Sequence, residues 1–210
     1  MQLSEEKDDI VWGLEKRGIY SVRSLYRQLK FGGVISRRMK EVWRAKLPLK
    51  VKVFVWQMFH DRLQTAVQLK KRNWPGSELC VCCDKREDVN HIMFRCHLAR
   101  FVWSVLKEIF EWRWAPVSVD DFSCRWLEEC SLQEGTVLMY GLGVVSWVLW
   151  RVRNKMAIEG VVPNKPTNVL YKIISFMLHW KALLDLETRL KVEAVAGMLR
   201  RKTEELEARW

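Results

Sequence analysis

One stretch of seventeen residues, Cys80 to Cys96, restricts the possible structures of this chain more than any other. It reads CVCCDKREDVNHIMFRC and holds four of the six cysteines and one of the four histidines. Cys80 and Cys83 form a C-x2-C pair, a spacing that lets two sulfurs of one tight turn bind one ion. His91 and Cys96 form an H-x4-C pair, whose members lie about one turn apart if this part is helical. Three thiolates and one imidazole are typical donors of a tetrahedral zinc ion.

The predicted metal site is closed and structural, and it holds one Zn2+. Four protein ligands leave no coordination position for water, so we do not expect metal catalysis. Two neighbouring residues stay open as alternative ligands. Cys82 could replace Cys83, although only one residue would then separate it from Cys80, and His97 could replace Cys96. The predicted ligands are Cys80, Cys83, His91 and Cys96.

The positive charge of the chain is concentrated in the segment that precedes the cysteines. The net charge is +11, and residues 11–79 alone contain 16 basic and 4 acidic residues. Residues 101–135 sum to −4 and residues 136–210 to +5. A local excess of this size suits a polyanion, most simply nucleic acid, whereas a solubility surface is the plainer interpretation.

The first residues do not resemble a secretory signal, because MQLSEEKDDI is acidic and lacks an apolar run. The longest apolar stretch, Val137 to Trp150, has fourteen residues and is too short to span a bilayer, so no membrane partner is expected. We therefore expect the protein inside the cell, with reduced cysteines, and in the nucleus rather than the cytoplasm. Cys124 and Cys130 lie apart on a helical segment and are expected in the core.

The periodicity of the chain predicts a mainly α, multi-helix protein with one small N-terminal β-hairpin and the embedded zinc site. Residues Ile10 to Val22 alternate apolar and polar side chains around a Glu-Lys-Arg-Gly tip, which is typical of a hairpin. Ser21 or Ser24 is expected to cap the helix that follows. Pro48 is expected to begin another helix and Thr65 to cap a third.

The second half is predicted to be entirely helical. Thr136 to Ala157 is its most apolar segment and should lie centrally, and the last thirty residues favour a long solvent-exposed helix or a partner surface. Two domains follow from this pattern. Residues 1–112 contain the hairpin, the basic helices and the zinc site, and residues 113–210 form a helical region packed on them.

Several motifs in the first half resemble the zinc-binding domain found downstream of the reverse transcriptase in plant LINE-type (non-LTR) retroelement proteins. They are the run WRAKLPLKVKVFVWQMFHDRLQTAVQL, the C-x2-C pair, EDVNHIMFRC and FVW, and the resemblance covers roughly residues 9 to 103. Matching residues in the first part are Trp12, Gly18, Tyr20, Ser21, Val22, Tyr26, Trp43, Pro48, Lys50, Lys52, Phe54, Trp56, Leu63, Thr65 and Leu69. Matching residues in the metal half are Cys80, Cys83, Glu87, His91, Cys96 and Trp103. A weaker likeness at Trp147, Trp150, Arg153 and Asn154 is similar to the segment that often precedes a ribonuclease H domain. Cys82 departs from the family, which usually has an apolar residue there.

The sequence favours a binding module over an enzyme. It contains no Tyr-x-Asp-Asp polymerase motif, no recognisable set of nuclease acids and no phosphate-cradling loop. Cations interleaved with aromatic rings predict that the basic segment binds RNA or a single strand, with phosphates on the cations and bases on an exposed ring. The candidate nucleic-acid-binding residues are Lys50, Lys52, Lys70, Lys71, Arg72 and Trp74.

Two alternatives to nucleic-acid binding remain at this stage. One is a protein-interaction or scaffold domain with a purely structural zinc ion, in which the C-terminal helix binds a partner or a second copy. The other is a decayed retroelement fragment without a selected activity.

Overall fold

The computed structural model describes residues 11–31, 37–127 and 132–209. The chain divides into two compact units, Met1–Lys40 and Glu41–Trp210. The predicted domain boundary at residue 112 falls inside the second unit and stays a prediction.

One helix, α1 (Val22–Phe31), lies wholly within the described part of the first unit. The Ser21 hydroxyl accepts a hydrogen bond from the Ser24 backbone N–H at 3.1 Å. Of the two predicted candidates, Ser21 therefore caps α1. The Trp12 ring packs edge-on against Tyr20, with 4.9 Å between ring centroids, and its Nε1 donates to the Ser24 hydroxyl. These contacts fold the segment before α1 back onto the start of the helix.

The predicted β-hairpin is wrong within the described residues: residues 11–21 contain turns and no strand, and Val22 begins α1; Ile10 lies outside the described residues. A backbone bond from Trp12 N–H to the Gly18 carbonyl at 2.7 Å closes the loop, and Gly18 turns it with a φ of +68°. The expected apolar face stays in solvent, since Val11 and Ile19 are 70% and 69% exposed. A two-stranded hairpin without a surface to pack against is marginal in water, and the alternating pattern carried no information about that surface.

Beyond the first unit the chain is helical, as predicted, and α2 (Arg37–Arg44) crosses the division between the units. Among the described residues the β pairing is limited to one isolated antiparallel bridge, Leu79–Arg86. The helical segments that follow are α3 (Leu49–Phe59), α4 (Ala66–Lys70), a π-helical turn (His91–Arg95), α5 (His97–Ile109), α6 (Val119–Asp121), a second π-helical segment (Phe122–Leu127), α7 (Leu132–Glu159), α8 (Thr167–Trp180), a 3₁₀ turn (Lys181–Leu183) and α9 (Leu186–Glu207).

The two predicted starts of helices in the basic segment are confirmed. Pro48 directly precedes α3, where its missing N–H is not needed. The Thr65 hydroxyl accepts from the Gln68 backbone N–H at 3.3 Å at the start of α4. Trp43 on α2 is 48% exposed, so its ring lies at the surface.

Helix α7 lies at the centre of the second unit, as its apolar composition predicts. It packs against α3, α8 and the π-helical turn. Phe54 of α3 meets Trp147 edge-on, with 5.3 Å between ring centroids, a geometry that adds about 0.5–1.5 kcal/mol to the burial itself. Nearer the N-terminus of α7, the Tyr140 hydroxyl donates to the Met177 carbonyl of α8 at 2.9 Å.

Helix α9 differs from the solvent-exposed helix that we expected. It packs along α8 and α5 and buries Val192, Ala196 and Leu199. Val192 and Leu199, which lie seven residues apart as in a coiled coil, therefore face the core of their own chain rather than a partner helix.

The expected position of Cys124 is also wrong, because this residue is exposed; Cys130 lies outside the described residues. In the described part of the chain, none of the helices combines the length and apolar character needed to cross a membrane.

Candidate metal centre

The four predicted ligands come together at one point. One donor atom from each of Cys80, Cys83, His91 and Cys96 lies within 4.8 Å of the others. The Cys80 and Cys96 sulfurs are 3.9 Å apart, and the Cys83 sulfur is 3.2 Å from His91 Nε2. Three of the residues are buried and Cys83 is half-buried. The result is a compact cluster of three sulfurs and one nitrogen.

Two of the sulfurs come from a tight turn held by backbone hydrogen bonds. The Cys80 N–H donates to the Lys85 carbonyl at 2.8 Å, and the bridge between Leu79 and Arg86 closes the loop. Asp84 has a φ of +53°, which lets the chain reverse after Cys83. This geometry places Cys80 and Cys83 side by side.

The other two donors stand at the ends of the π-helical turn. The Cys96 N–H donates to the His91 carbonyl at 2.7 Å, the i to i+5 bond of a π-helix. In an α-helix, residues five apart point about 140° away from each other, because each residue adds about 100°. The wider turn brings both side chains to the same side. Its start is fixed by the Asp88 carboxylate, which accepts the His91 backbone N–H at 2.6 Å.

The indole of Trp103 holds the middle of this turn. Its Nε1 donates to the Met93 carbonyl at 2.7 Å, and its ring stacks on Phe94 with 5.6 Å between centroids. A π-helical turn leaves carbonyls outside the α-helical pattern, and a buried N–H satisfies one of them. Trp103 is a core residue, since its side chain is 4% exposed.

The cysteines differ in their readiness to lose a proton. The hydrogen bond between the Cys80 and Cys96 sulfurs lowers the pKa of Cys80 to about 3, against the opposing effect of burial. The same bond raises the pKa of Cys96 well above its usual range. Burial raises the pKa of Cys83. Cys80 is therefore the sulfur of the cluster that loses its proton most readily.

The cluster fits Zn2+. Bonds of about 2.3 Å to sulfur in a tetrahedron separate two sulfurs by about 3.8 Å. The 3.9 Å between the Cys80 and Cys96 sulfurs matches that value closely. A set of three soft thiolates and one imidazole selects zinc over the hard cations, which prefer oxygen.

The two alternative ligands point elsewhere. Cys82 is exposed, and it meets the cluster through its backbone N–H, which donates to the Cys80 sulfur at 3.4 Å. His97 is exposed at the first position of α5. Neither belongs to the group of donor atoms that the structure brings together.

A buried carboxylate supports the cluster from outside. Glu87 is 1% exposed, and its Oε1 accepts the Ala66 backbone N–H at 3.0 Å. The guanidinium of Arg153, on α7, binds both oxygens of Glu87, with Nε at 3.0 and 3.1 Å. The loop between Cys83 and His91 is thereby fixed to α4 and α7. Glu87 and Arg153 each belong to a family-like motif of the sequence, but no local sequence pattern predicts a contact between residues 66 positions apart.

Four of the predicted nucleic-acid-binding residues lie at the C-terminal end of α4 and in the surface turn that follows it. Lys70, Lys71, Arg72 and Trp74 are all exposed, the Trp74 ring by 43%. Lys70 Nζ donates to the Gly76 carbonyl at 3.3 Å. The Trp74 ring lies directly over Gly76, where an added Cβ would come within 2.0 Å of it. The turn thus presents three cations and a supported aromatic ring.

The other two predicted residues project from α3. Lys50 is exposed, with Nζ 5.8 Å from the centroid of the Trp147 ring. Lys52 is half-buried and donates to the Trp43 carbonyl at 2.9 Å. Both ammonium groups are therefore engaged with their own chain.

Comparison with known proteins agrees with this geometry. Residues 20–103 match a family described as "zinc-binding in reverse transcriptase", and they include all four residues of the cluster. A protein of Arabidopsis thaliana named "Putative ribonuclease H protein" is 25% identical over 122 residues, which cover 50% of this chain and 20% of that protein. The chain thus spans about a fifth of the length of this relative. No solved structure matches the chain significantly.

Proposed function

We propose that this chain, whose residues 20–103 carry a reverse-transcriptase-type zinc-binding domain of retroelement origin, is a non-catalytic module that binds RNA or single-stranded nucleic acid. One structural zinc ion, held by Cys80, Cys83, His91 and Cys96, maintains its fold. A basic surface next to that site contacts the nucleic acid.

A structural role for zinc is supported by the closure of the cluster. Four protein donors complete a tetrahedron, and three of the four residues are buried. The ion would supply a cross-link between the Cys80–Cys83 turn and the π-helical turn, and its binding energy would add to folding. The matched family is described by zinc binding and not by a catalytic activity, which supports a non-catalytic role.

The observation that carries the nucleic-acid proposal is the exposed turn Lys70–Trp74. Three cations at consecutive positions offer contacts to phosphates, and the Trp74 ring offers a face for one base. Stacking on such a ring contributes about 1–3 kcal/mol per base, irrespective of which base it is. Because Gly76 supports the ring from below, the indole is held in position before any ligand arrives.

Fluorescence anisotropy with a labelled 20-nucleotide single-stranded RNA tests this function. We expect binding that weakens steeply with salt, and a large loss of affinity in Lys70→Glu/Lys71→Glu/Arg72→Glu. A matched triple reversal on exposed cations of α7, α8 and α9, Lys155→Glu/Lys172→Glu/Arg201→Glu, should retain more affinity at the same net charge. Equal loss in both triple variants would contradict a localised surface.

A second candidate function is protein interaction through the start of α9. Leu186 and Leu190 of α9 are 69% and 58% exposed, and Leu183 of the preceding 3₁₀ turn is 48% exposed, although α9 buries its other face. Apolar side chains spaced along one turn after another are typical of a helix that binds a partner or a second copy. This function is compatible with the first, because it uses a different surface.

Location in the nucleus is part of the proposal for a nucleic-acid ligand. A fluorescent fusion of the full chain in plant cells should accumulate in the nucleus, whereas exclusion from it would contradict this assignment.

A further inference from the structure

An open groove of about 580 Å³ borders the metal cluster on the side of His91. Its walls are the loop after Cys83, the π-helical turn and the first turn of α5. Four cations line it, and none of them was among the predicted binding residues: Lys85, Arg86, Arg95 and Arg100. All four side chains are exposed.

The positive charge of the groove is larger than the negative charge of the zinc-loaded centre and of Asp88 together. Three thiolates and a neutral imidazole on Zn2+ leave one net negative charge, and Asp88 in the groove wall adds another. The four cations therefore leave an excess of two positive charges. The Asp88 carboxylate is in addition occupied by the His91 backbone N–H.

The cations are only weakly engaged with their own chain. Arg86 lies 3.6 Å from Glu78, but both side chains are largely exposed, and such a pair contributes little. Arg95 donates through Nε to the Val117 carbonyl at 3.1 Å, which uses one of its five donors and fixes the direction of the guanidinium. Lys85 and Arg100 form no side-chain hydrogen bond or ion pair with the part of the chain that the structure describes.

The positions of two of these cations are unfavourable for folding. Arg95 directly precedes the Cys96 cap of α5, and Arg100 lies in the first turn of that helix. Cations near a helix N-terminus meet the positive end of the helix dipole, which destabilises the folded state. An anionic ligand in the groove would compensate this cost.

We infer that the groove binds the sugar–phosphate backbone of the single-stranded nucleic acid. This inference rests on the function proposed above and adds a second contact surface, directly at the zinc site. Among the described residues that line the groove, the two rings are buried: His91 is 4% exposed, and Phe94 is 2% exposed and stacks on Trp103. Recognition there is by charge and independent of sequence, whereas Trp74 supplies the contact to a base.

The test uses the full zinc-loaded chain and labelled single-stranded oligo(U) and mixed-sequence RNA of 20 nucleotides. Lys85→Gln/Arg100→Gln removes two groove charges without breaking a side-chain hydrogen bond or ion pair with the described residues, and Lys172→Gln/Arg201→Gln on α8 and α9 makes the same charge change elsewhere. A third variant, Lys70→Gln/Lys71→Gln, removes two charges from the surface at the end of α4 and should weaken its contact with RNA. Zinc content and the thermal midpoint establish that every variant is folded.

The groove variant should bind both RNAs about five- to tenfold more weakly, with a slope of log affinity against log salt that is smaller by about 1.4, because each phosphate contact to a single strand contributes about 0.7. The α8–α9 variant should keep the parent slope. An unchanged slope in the groove variant, alongside a loss in Lys70→Gln/Lys71→Gln, would overturn the groove while leaving the proposed function standing. Failure of the parent to bind either RNA would overturn both. Equal displacement of RNA by poly-glutamate at matched charge would indicate a general anion surface and overturn phosphate recognition.

Discussion

Glu87 and Arg153 form a buried, bidentate ion pair that joins the zinc loop to the central helix α7 across 66 residues. The carboxylate also accepts the Ala66 N–H, so one side chain connects three segments. Arg153 lies outside residues 20–103, the range that matches the zinc-binding family. The support of the candidate metal centre is therefore shared between the matched region and the helices that follow it.

Breaking this pair should destabilise the second unit strongly. In Glu87→Leu the guanidinium of Arg153, whose side chain is 13% exposed, loses its carboxylate partner. In Arg153→Met the carboxylate of Glu87 loses its guanidinium partner. We expect each single variant to lose about 3–5 kcal/mol of unfolding free energy in urea denaturation.

The double variant Glu87→Leu/Arg153→Met should lose clearly less than the sum of the two, because no unpaired charge stays buried. Glu87→Gln is a milder control, since it can still accept the Ala66 N–H. Strictly additive losses in the double variant would show that the pair does not act as a unit.

Replacing Cys82 and Cys83 one at a time should distinguish the zinc ligand from its neighbour. Cys83→Ser removes a sulfur that lies 3.2 Å from His91 Nε2, so we expect loss of bound zinc and a lower thermal midpoint. Cys82→Ser changes an exposed side chain and retains the backbone N–H that donates to Cys80, so it should keep one zinc ion.

Native mass spectrometry counts the zinc directly in both variants. Retention of zinc by Cys83→Ser together with its loss from Cys82→Ser would reverse the ligand assignment.

Zinc binding should release about two protons per ion near pH 7. The raised pKa values of Cys83 and Cys96 mean that these thiols carry protons in the assembled cluster without metal, whereas the pKa of about 3 leaves Cys80 as a thiolate. Because bound sulfurs must be deprotonated, the apparent zinc affinity should rise about a hundredfold per pH unit in this range.

Calorimetric titration in buffers of different ionisation enthalpy measures the proton count. A release of three protons would show that Cys80 is protonated before the metal arrives and that the cluster is not assembled without it.

The exposed leucines of α9 provide a test of self-association. Leu186→Lys/Leu190→Lys places charges on the solvent side of the helix and leaves the buried Val192 and Leu199 untouched. If this face joins two copies, light scattering should show a dimer for the parent chain and a monomer for the variant. A monomeric parent would leave only a different protein as partner, and retention of the dimer by the variant would place the interface elsewhere.

The sequence predicted those parts of the structure that depend on local chemistry. The C-x2-C and H-x4-C spacings name the four residues whose donor atoms lie within 4.8 Å, and Ser21 and Thr65 are caps because a hydroxyl at that position satisfies a free N–H. The apolar run of α7 likewise predicts its central position.

The errors concern what each segment packs against. Alternating residues before α1 resemble a hairpin, but Val11 and Ile19 stay 70% and 69% exposed in the described part of the chain. The polar composition of α9 concealed a buried stripe, because that stripe uses only one residue in three or four. The basic groove was missed for the same reason: Lys85 and Arg100 are fifteen positions apart and meet only through the fold.

Because His91 and Cys96 stand at the ends of a π-helical turn, the number of residues between these two ligands depends on how the backbone is wound. A chain with one residue fewer between these ligands could use an ordinary α-helical turn, in which residues four apart share a side. Deleting a single residue from the present turn would therefore preserve the metal site only if the segment rewound and Trp103 released the Met93 carbonyl. Length variants at this position should consequently appear in related proteins together with changes in the residue that occupies position 103.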